Sequence, residues 1–231
     1  ALRLSFKLRI FNARIDHRRH ALAEIVAKRY SVSVESLKHA FDAGCFGFGN
    51  SNKTGNVWIV SDNRKLSYQI RRMDGNNWKF SGKEAKAWTL KNSDCSYPIG
   101  LENTKGKQAI CICEGSTDFL SCFHILKTLN MLGTHAPVAM LGANHKIGIP
   151  YLREFAGKVA MIFADADEAG QKALQKAMTL FDQTDVKVRI PALVGGKDPD
   201  EIIRTYGRDK FKGMLEGASN ETEFRLLALR R

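Results

Sequence analysis

The pattern of apolar and polar positions changes near residue 108 of this 231-residue chain. Before that point, two short helix-like segments are followed by β-rich stretches separated by turn signals. After it, near-continuous apolar stretches alternate with segments of helical periodicity. This alternation predicts a parallel sheet covered by helices on both faces. The sequence therefore predicts a small α+β subdomain followed by an α/β domain.

The first half is predicted to hold two helices and a small antiparallel sheet, joined to the second half by a polar connector at 93–107. Ser33 is predicted to cap the second helix, which ends near Gly44. The predicted elements are helices at 19–30 and 34–41 and strands at 57–60, 66–71 and 78–80.

The second half is predicted to contain four strands, each followed by a helical segment. Gly207 is expected to interrupt the last helix. The predicted strands are 108–113, 138–141, 158–164 and 186–190, and the predicted helices are 117–132, 151–155, 168–181 and 200–215.

Charge separates the same two halves. The chain has 36 Lys and Arg against 24 Asp and Glu, and residues 1–107 alone hold 20 of the basic and 9 of the acidic residues. Such a basic module suits a polyanion such as nucleic acid, although a basic protein without such a partner has the same composition. Three tryptophans lie in this half, where packing in the core of the sheet is favoured over stacking on bases: Trp58, Trp78 and Trp88.

The five cysteines indicate neither a disulfide framework nor a zinc ribbon, because their number is odd and none forms a CxxC pair. We therefore expect no zinc site within this chain. Apolar runs of about 18 residues, which a membrane span needs, and a signal peptide are both absent from the sequence. A cytoplasmic protein that does not bind membranes is expected.

Acidic residues follow three of the four predicted strands of the second half. Parallel sheets bind ligands at the carboxyl ends of their strands, so these carboxylates are expected to converge on one edge. Six unneutralised carboxylates would raise each other's pKa values, and a divalent cation such as Mg²⁺, which prefers oxygen ligands, removes that conflict. Helix capping explains single members of the set but not all three groups together. The six residues are Glu114, Asp118, Asp165, Asp167, Asp198 and Asp200.

Three motifs resemble the Toprim family, and in particular bacterial DnaG-type primases and the primase cores of phage-type primase-helicases. They are EGSTD at 114–118, DADEAGQKA at 165–173 and GKDPDEIIRTYGRDKFKGMLEGA at 196–218. The resemblance implies an α/β fold: a Toprim domain with a four-stranded, mainly parallel sheet flanked by helices, preceded by a small basic α+β subdomain. The expected divisions are 1–105 for the basic nucleic-acid-binding subdomain, 106–218 for the catalytic domain and 219–231 for a C-terminal tail.

The resemblance also implies roles for individual residues. Glu114 is the candidate general acid or base, and Asp118, Asp165 and Asp167 complete the catalytic set. Mg²⁺ or Mn²⁺ is expected on Glu114, Asp165, Asp167, Asp198 and Asp200. Contacts to nucleic acid or nucleotide are expected from Arg71, Arg72, Lys91 and Lys197.

The implied activity is template-directed synthesis of short RNA primers. The expected partners are single-stranded DNA, nucleoside triphosphates and a replicative helicase. Two alternatives stay open on the sequence: a Toprim-type metal-dependent nuclease, since the same metals activate water, and a nucleic-acid-binding protein that keeps the fold without catalysis.

Overall fold

The computed structural model of the protein describes residues 8–11, 17–80, 82–140, 147–163, 168–182, 184–192 and 198–220. Within these ranges the chain forms two five-stranded sheets and a separate two-stranded hairpin. None of the helices in the described ranges is both long enough and apolar enough to cross a lipid bilayer.

The first sheet is antiparallel. Its elements, with the helices and the hairpin that accompany it, are β1 (Leu8–Phe11), α1 (His17–Tyr30), α2 (Val34–Asp42), β2 (Phe46–Ser51), β3 (Gly55–Ser61), β4 (Tyr68–Arg72), the hairpin strands β5 (Trp78–Phe80) and β6 (Lys83–Ala85), and β7 (Trp88–Thr89). The strand order is β1-β2-β3-β4-β7. The β7 pairing reaches only Gln69 and Ile70 of β4, so the last two residues of β4 extend past its partner.

Both predicted helices of this half are confirmed. Ser33 caps α2 as expected, with its Oγ accepting a hydrogen bond from the Ser36 backbone N–H at 3.1 Å. The sequence reading missed β1, β2, β6 and β7. The β2 segment has glycine at alternate positions, which favours a turn, yet Phe46 and Phe48 are buried against β3 and pack edge to face.

The second sheet has the order β12-β11-β10-β8-β9. Its elements are β8 (Ala109–Cys113), α3 (Ser116–Thr128), β9 (His135–Ala139), α4 (Ile149–Leu152), β10 (Val159–Ile162), α5 (Glu168–Phe181), β11 (Lys187–Ile190), α6 (Pro199–Glu216) and β12 (Ser219–Asn220), with short 3-10 helices at Leu101–Thr104 and Arg153–Phe155. The four predicted parallel strands are confirmed. The added strand β12 pairs antiparallel with β11, although its two residues were assigned to the tail.

The kink in α6 falls where the sequence placed it. Gly207 has φ 73° and ψ −170°, a conformation that residues with a side chain rarely adopt. The helix resumes after this residue and packs Phe211 and Met214 against the same core as β8. The predicted interruption is therefore confirmed.

The two sheets share a hydrophobic core through α3. Phe119 and Phe123 of this helix lie in one buried cluster with Phe48 and Trp58 of the first sheet. Because aromatic side chains contribute much of the apolar area that folding buries, this cluster ties the two halves together. The division at residues 105/106 stays a prediction.

The connector between the halves is fixed to β9. Ile99 and Ala139 exchange two backbone hydrogen bonds of 3.0 Å. The next residue, Gly100, has φ 85°, and a Cβ there would lie 2.5 Å from the Pro137 carbonyl oxygen and 3.1 Å from the Phe119 ring. Only glycine satisfies both constraints without displacing backbone.

Candidate active site

The topology defines one crevice at the carboxyl ends of the strands. After β8 the chain forms β9 on one side of β8, and it then returns to form β10 on the other side of β8. Such a switch point opens a cleft at the carboxyl edge of a parallel sheet. Phe163 continues the β10 pairing, with its N–H donating to the Ile112 carbonyl at 2.8 Å. Residues that follow β8 and β10 therefore start from adjacent points of this edge.

Two predicted carboxylates belong to the turn from β8 into α3. Glu114 is half-buried directly after the strand. Asp118 lies in the first turn of α3 and is 7% exposed. Its Oδ2 approaches Gly115 so closely that a Cβ there would lie 3.2 Å away. The small residue at 115 thus lets the Asp118 carboxylate fold back toward the end of β8.

Two further predicted carboxylates begin α6. Asp198 is its N-cap, and Asp198 Oδ1 accepts a hydrogen bond from the Glu201 N–H at 2.7 Å. Asp200 is buried between α6 and α3, where its Oδ1 accepts from the Ser121 hydroxyl at 2.8 Å and its Oδ2 from Arg204 Nε at 3.1 Å. Burial raises the pKa of Asp200, and the Ser121 and Arg204 contacts oppose that shift.

The packing of α3 on α6 brings parts of this set together. Ser121 lies one turn after Asp118 on α3, so residues of the 114–118 motif and Asp200 approach the same end of that helix. Asp165, Asp167 and Lys197 lie outside the described residues. Among those that are described, His, Cys, Asp and Glu do not form a group of three that could by itself hold a metal ion.

The donor chemistry nevertheless fits a hard divalent cation. Glu114 and Asp118 supply carboxylates at the end of β8, and the strand paired beside it continues in sequence to Asp165 and Asp167. Carboxylate oxygens are the ligands that Mg²⁺ takes from proteins. Carboxylates at the end of β8 beside the crevice are therefore chemically suited to a divalent cation.

Arg71 and Arg72, both predicted to contact nucleic acid or nucleotide, point to opposite faces of the first sheet, since side chains alternate along a strand. Arg71 packs over Trp58, with its guanidinium carbon 5.7 Å from the ring centre, and its Nε donates to the Ser116 hydroxyl at 3.0 Å. Arg72 instead pairs with Asp74, which lowers the pKa of that carboxyl. Of these two arginines, Arg71 is the one hydrogen-bonded to the first turn of α3, and Lys91 is exposed after β7.

Sequence reasoning missed the serines that connect these elements. Ser116 and Ser121 are fully buried on α3, and they bind Arg71 and Asp200 respectively. Two hydroxyls on a helix otherwise rich in buried apolar residues were the available signal, because buried polar groups need partners. The identity of those partners depends on long-range packing.

Residues 111–203 match the Toprim-like family. The DNA primase of Campylobacter jejuni is 32% identical over 130 residues, covering 56% of this chain and 20% of that protein. The structure resembles the zinc-binding and RNA polymerase domains of Aquifex aeolicus primase with a TM-score of 0.65 at 17% identity, covering 93% of this chain and 59% of that one. It also resembles a DnaG primase catalytic domain bound to single-stranded DNA, with a TM-score of 0.53 at 21% identity, covering 88% and 65%.

The chain spans about a fifth of the length of the first curated relatives that it matches. The match covers the three acidic motifs only up to residue 203, whereas the structural similarity extends through most of the first sheet as well. Residues 111–203 are therefore similar to the Toprim-like family, and the chain has the fold of DnaG-type primase catalytic cores.

Proposed function

We propose that this chain is the catalytic core of a DNA primase that synthesises short RNA primers on single-stranded DNA in the cytoplasm. One observation carries the proposal: the basic first sheet is attached to the acidic strand edge by the hydrogen bond between Arg71 and Ser116. A polyanion bound by the first sheet would therefore lie close to the carboxylates that follow β8 in the second sheet. The relatedness to bacterial DNA primases supports the same activity.

The proposal assigns a role to each of several residues of the chain. Glu114, at the end of β8, would accept the proton of the primer 3′-hydroxyl. Asp118 would help to position the primer 3′-hydroxyl beside Glu114. The Arg71 guanidinium, kept in orientation by Trp58 and Ser116, would bind a phosphate of the template or of the incoming triphosphate. Lys197, which lies outside the described residues, is proposed to bind the same incoming triphosphate.

A divalent cation completes the proposal. Mg²⁺ or Mn²⁺ would offset the charge that develops on the transferring phosphate. The proposed ligands are Glu114, Asp165, Asp167, Asp198 and Asp200. Asp200 has to be ionised for this role, and a nearby cation favours the ionised form against the effect of burial. A replicative helicase as partner stays a prediction.

Incubation with single-stranded DNA, labelled nucleoside triphosphates and Mg²⁺ tests the proposal. The wild-type chain should yield short RNA products, and Asp165→Ala should yield none. Asp182→Ala is the matched control, because Asp182 is an exposed aspartate that follows α5 on the same domain. Normal synthesis by Asp165→Ala would refute the assignment, and shortening of the DNA without RNA synthesis would support the nuclease instead.

A further inference from the structure

The first sheet carries a pocket on the face turned away from α3. On that face Val57, Ile59 and Ile70 form a small core that the hairpin β5–β6 covers through Trp78, which is 1% exposed. The hairpin leaves a pocket of about 570 Å³ between itself, the turn before β3 and the end of β4. The pocket is lined by Lys53, Thr54, Arg72, Asn76, Asn77, Trp78, Lys79 and Glu84.

Cations dominate this lining. The lining contains three cationic side chains, Lys53, Arg72 and Lys79, and one carboxylate, Glu84. Two of the cations are held by acidic neighbours: Lys79 Nζ lies 2.9 Å from Glu84 Oε1, and Arg72 Nε donates to Asp74 Oδ1 at 2.9 Å. The Lys79–Glu84 pair is exposed and contributes little stability, so Lys79 stays available to another anion, whereas Arg72 is held by Asp74 through both Nε and Nη2.

We propose that this outer pocket, lined by Lys53, Arg72 and Lys79, binds the phosphates of a single-stranded nucleic acid. The inference rests on the proposed function for the nature of the ligand. It assigns Arg72 to a place separate from Arg71, on the opposite side of the same sheet. The amides of Asn76 and Asn77 add uncharged donors that suit phosphate oxygens.

The end of β4 explains why a polymer fits this pocket better than a free nucleotide. Arg71 and Arg72 are consecutive, and β7 pairs only with Gln69 and Ile70 before them. The sheet edge beside the two arginines is therefore not covered by β7. A strand that passes around this edge contacts Arg72 on the outer face and Arg71 beside Ser116, whereas a mononucleotide occupies one face only.

The test compares a variant of the pocket lining with a variant outside it. Binding of a labelled oligonucleotide of about 12 nucleotides is measured without divalent metal over a series of salt concentrations. Lys53→Ala/Lys79→Ala removes two pocket cations. Lys83→Ala is the matched control, because Lys83 is exposed on β6, is absent from the pocket lining, and pairs in register with Phe80 rather than Lys79.

For single strands each neutralised phosphate contributes about −0.7 to the slope of log K against log salt. The double variant should therefore lose about 1.4 from the magnitude of that slope and bind more weakly with every sequence, while Lys83→Ala keeps the wild-type slope. Equal slopes for the double variant and the control would overturn the proposal. So would a loss of binding confined to inorganic triphosphate with the oligonucleotide unaffected.

A variant of opposite sign guards against a folding artefact. Glu84→Gln removes the carboxylate that competes for Lys79, so it should strengthen oligonucleotide binding. Weaker binding by this variant would contradict the pocket. Asp165→Ala should retain the wild-type slope. Primer synthesis and strand binding are thereby tested by different variants. If the primase assay fails, the binding measurement still tests the pocket.

Discussion

The two sheets of this protein place their charges in contrasting ways. In the second sheet strands β8 and β10 are apolar, and the carboxylates Glu114 and Asp118 come after β8, at its carboxyl end. In the first sheet the charges lie within a strand, so neighbouring arginines at 71 and 72 serve opposite faces. Charge that follows a parallel strand is concentrated by topology, whereas charge within an antiparallel strand is divided by side-chain alternation.

The largest expected difference between the regions comes from Glu114→Gln. This change removes a proton acceptor at the sheet edge without changing side-chain volume, so primer synthesis should fall about 10²- to 10⁴-fold. Oligonucleotide binding, assigned to the first sheet, should persist. Synthesis and binding are measured on the same preparation, with Glu154→Gln, an exposed glutamate after α4, as control. If Glu114→Gln lost oligonucleotide binding together with primer synthesis, the assignment of binding to the first sheet and synthesis to the second would be wrong.

A second change tests whether the two regions fold as one unit. Phe119 is fully buried in the cluster shared by both sheets, so Phe119→Ala should destabilise the protein by about 3–5 kcal/mol. All three tryptophans lie before residue 108, so fluorescence reports the first half while far-ultraviolet dichroism reports both. Denaturant midpoints from the two signals should shift together. Tyr206→Ala, at a site 49% exposed, should leave both nearly unchanged.

An unmoved fluorescence midpoint in Phe119→Ala would show that the first half unfolds on its own. That outcome would favour the predicted division at residues 105/106 as a boundary between independent folding units.

A smaller effect is expected at the contact of α2 with α3. The Ser33 N–H donates to His124 Nδ1 at 3.2 Å, so this ring nitrogen has to be unprotonated. Burial lowers the pKa of His124 below its ordinary value. The unfolded chain then binds the proton more readily, and stability should fall as pH drops below about 6.5, the ordinary histidine value.

The size of this loss is about 1 kcal/mol, the contribution of one hydrogen bond. Urea unfolding at acid and neutral pH measures it. His124→Asn should flatten the profile, while His20→Gln, an exposed site, should leave it as in the wild type. An unaltered profile in His124→Asn would assign the pH effect to another group.

The smallest expected effect has the opposite sign and lies in the second region. Because the pKa of Asp200 is raised by burial, the folded protein binds its proton more readily than the unfolded chain. Stability contributed by this group is therefore present below the ordinary aspartate pKa and lost as pH rises through the raised one. Asp200→Asn should remove that pH-dependent loss of stability, as urea unfolding at acid and neutral pH would show, while reducing primer synthesis. Lower stability at neutral pH would show that the Arg204 pair outweighs burial.

The sequence predicted the second region better than the first for a physical reason. Apolar strands and amphipathic helices leave a periodic pattern, and glycine at 207 marks a helix break by its backbone freedom alone. The β2 strand leaves no such pattern, because its glycines at 47 and 49 alternate with the buried phenylalanines. The two-residue strand β12 is too short to leave one.

Within the candidate site, local sequence indicated candidate carboxylates but not the side chains that surround them. Strand alternation alone separates Arg71 from Arg72 once β4 is known to include both. The pairing of Ser121 with Asp200 joins positions 79 residues apart, and only the packing of α3 on α6 creates it. Contacts of that kind follow from the assembled fold rather than from any motif.

The contacts around Gly100 affect whether the protein can still fold after its backbone is cut. Gly106, a few residues later, is exposed, and a Cβ there would meet no atom within 4 Å. Severing the backbone after Gly106 would leave the Ile99–Ala139 bridge and the Phe119 contacts intact between the pieces. Each fragment alone would expose its half of the apolar interface to water, so co-expressed fragments are expected to complement each other and restore one particle.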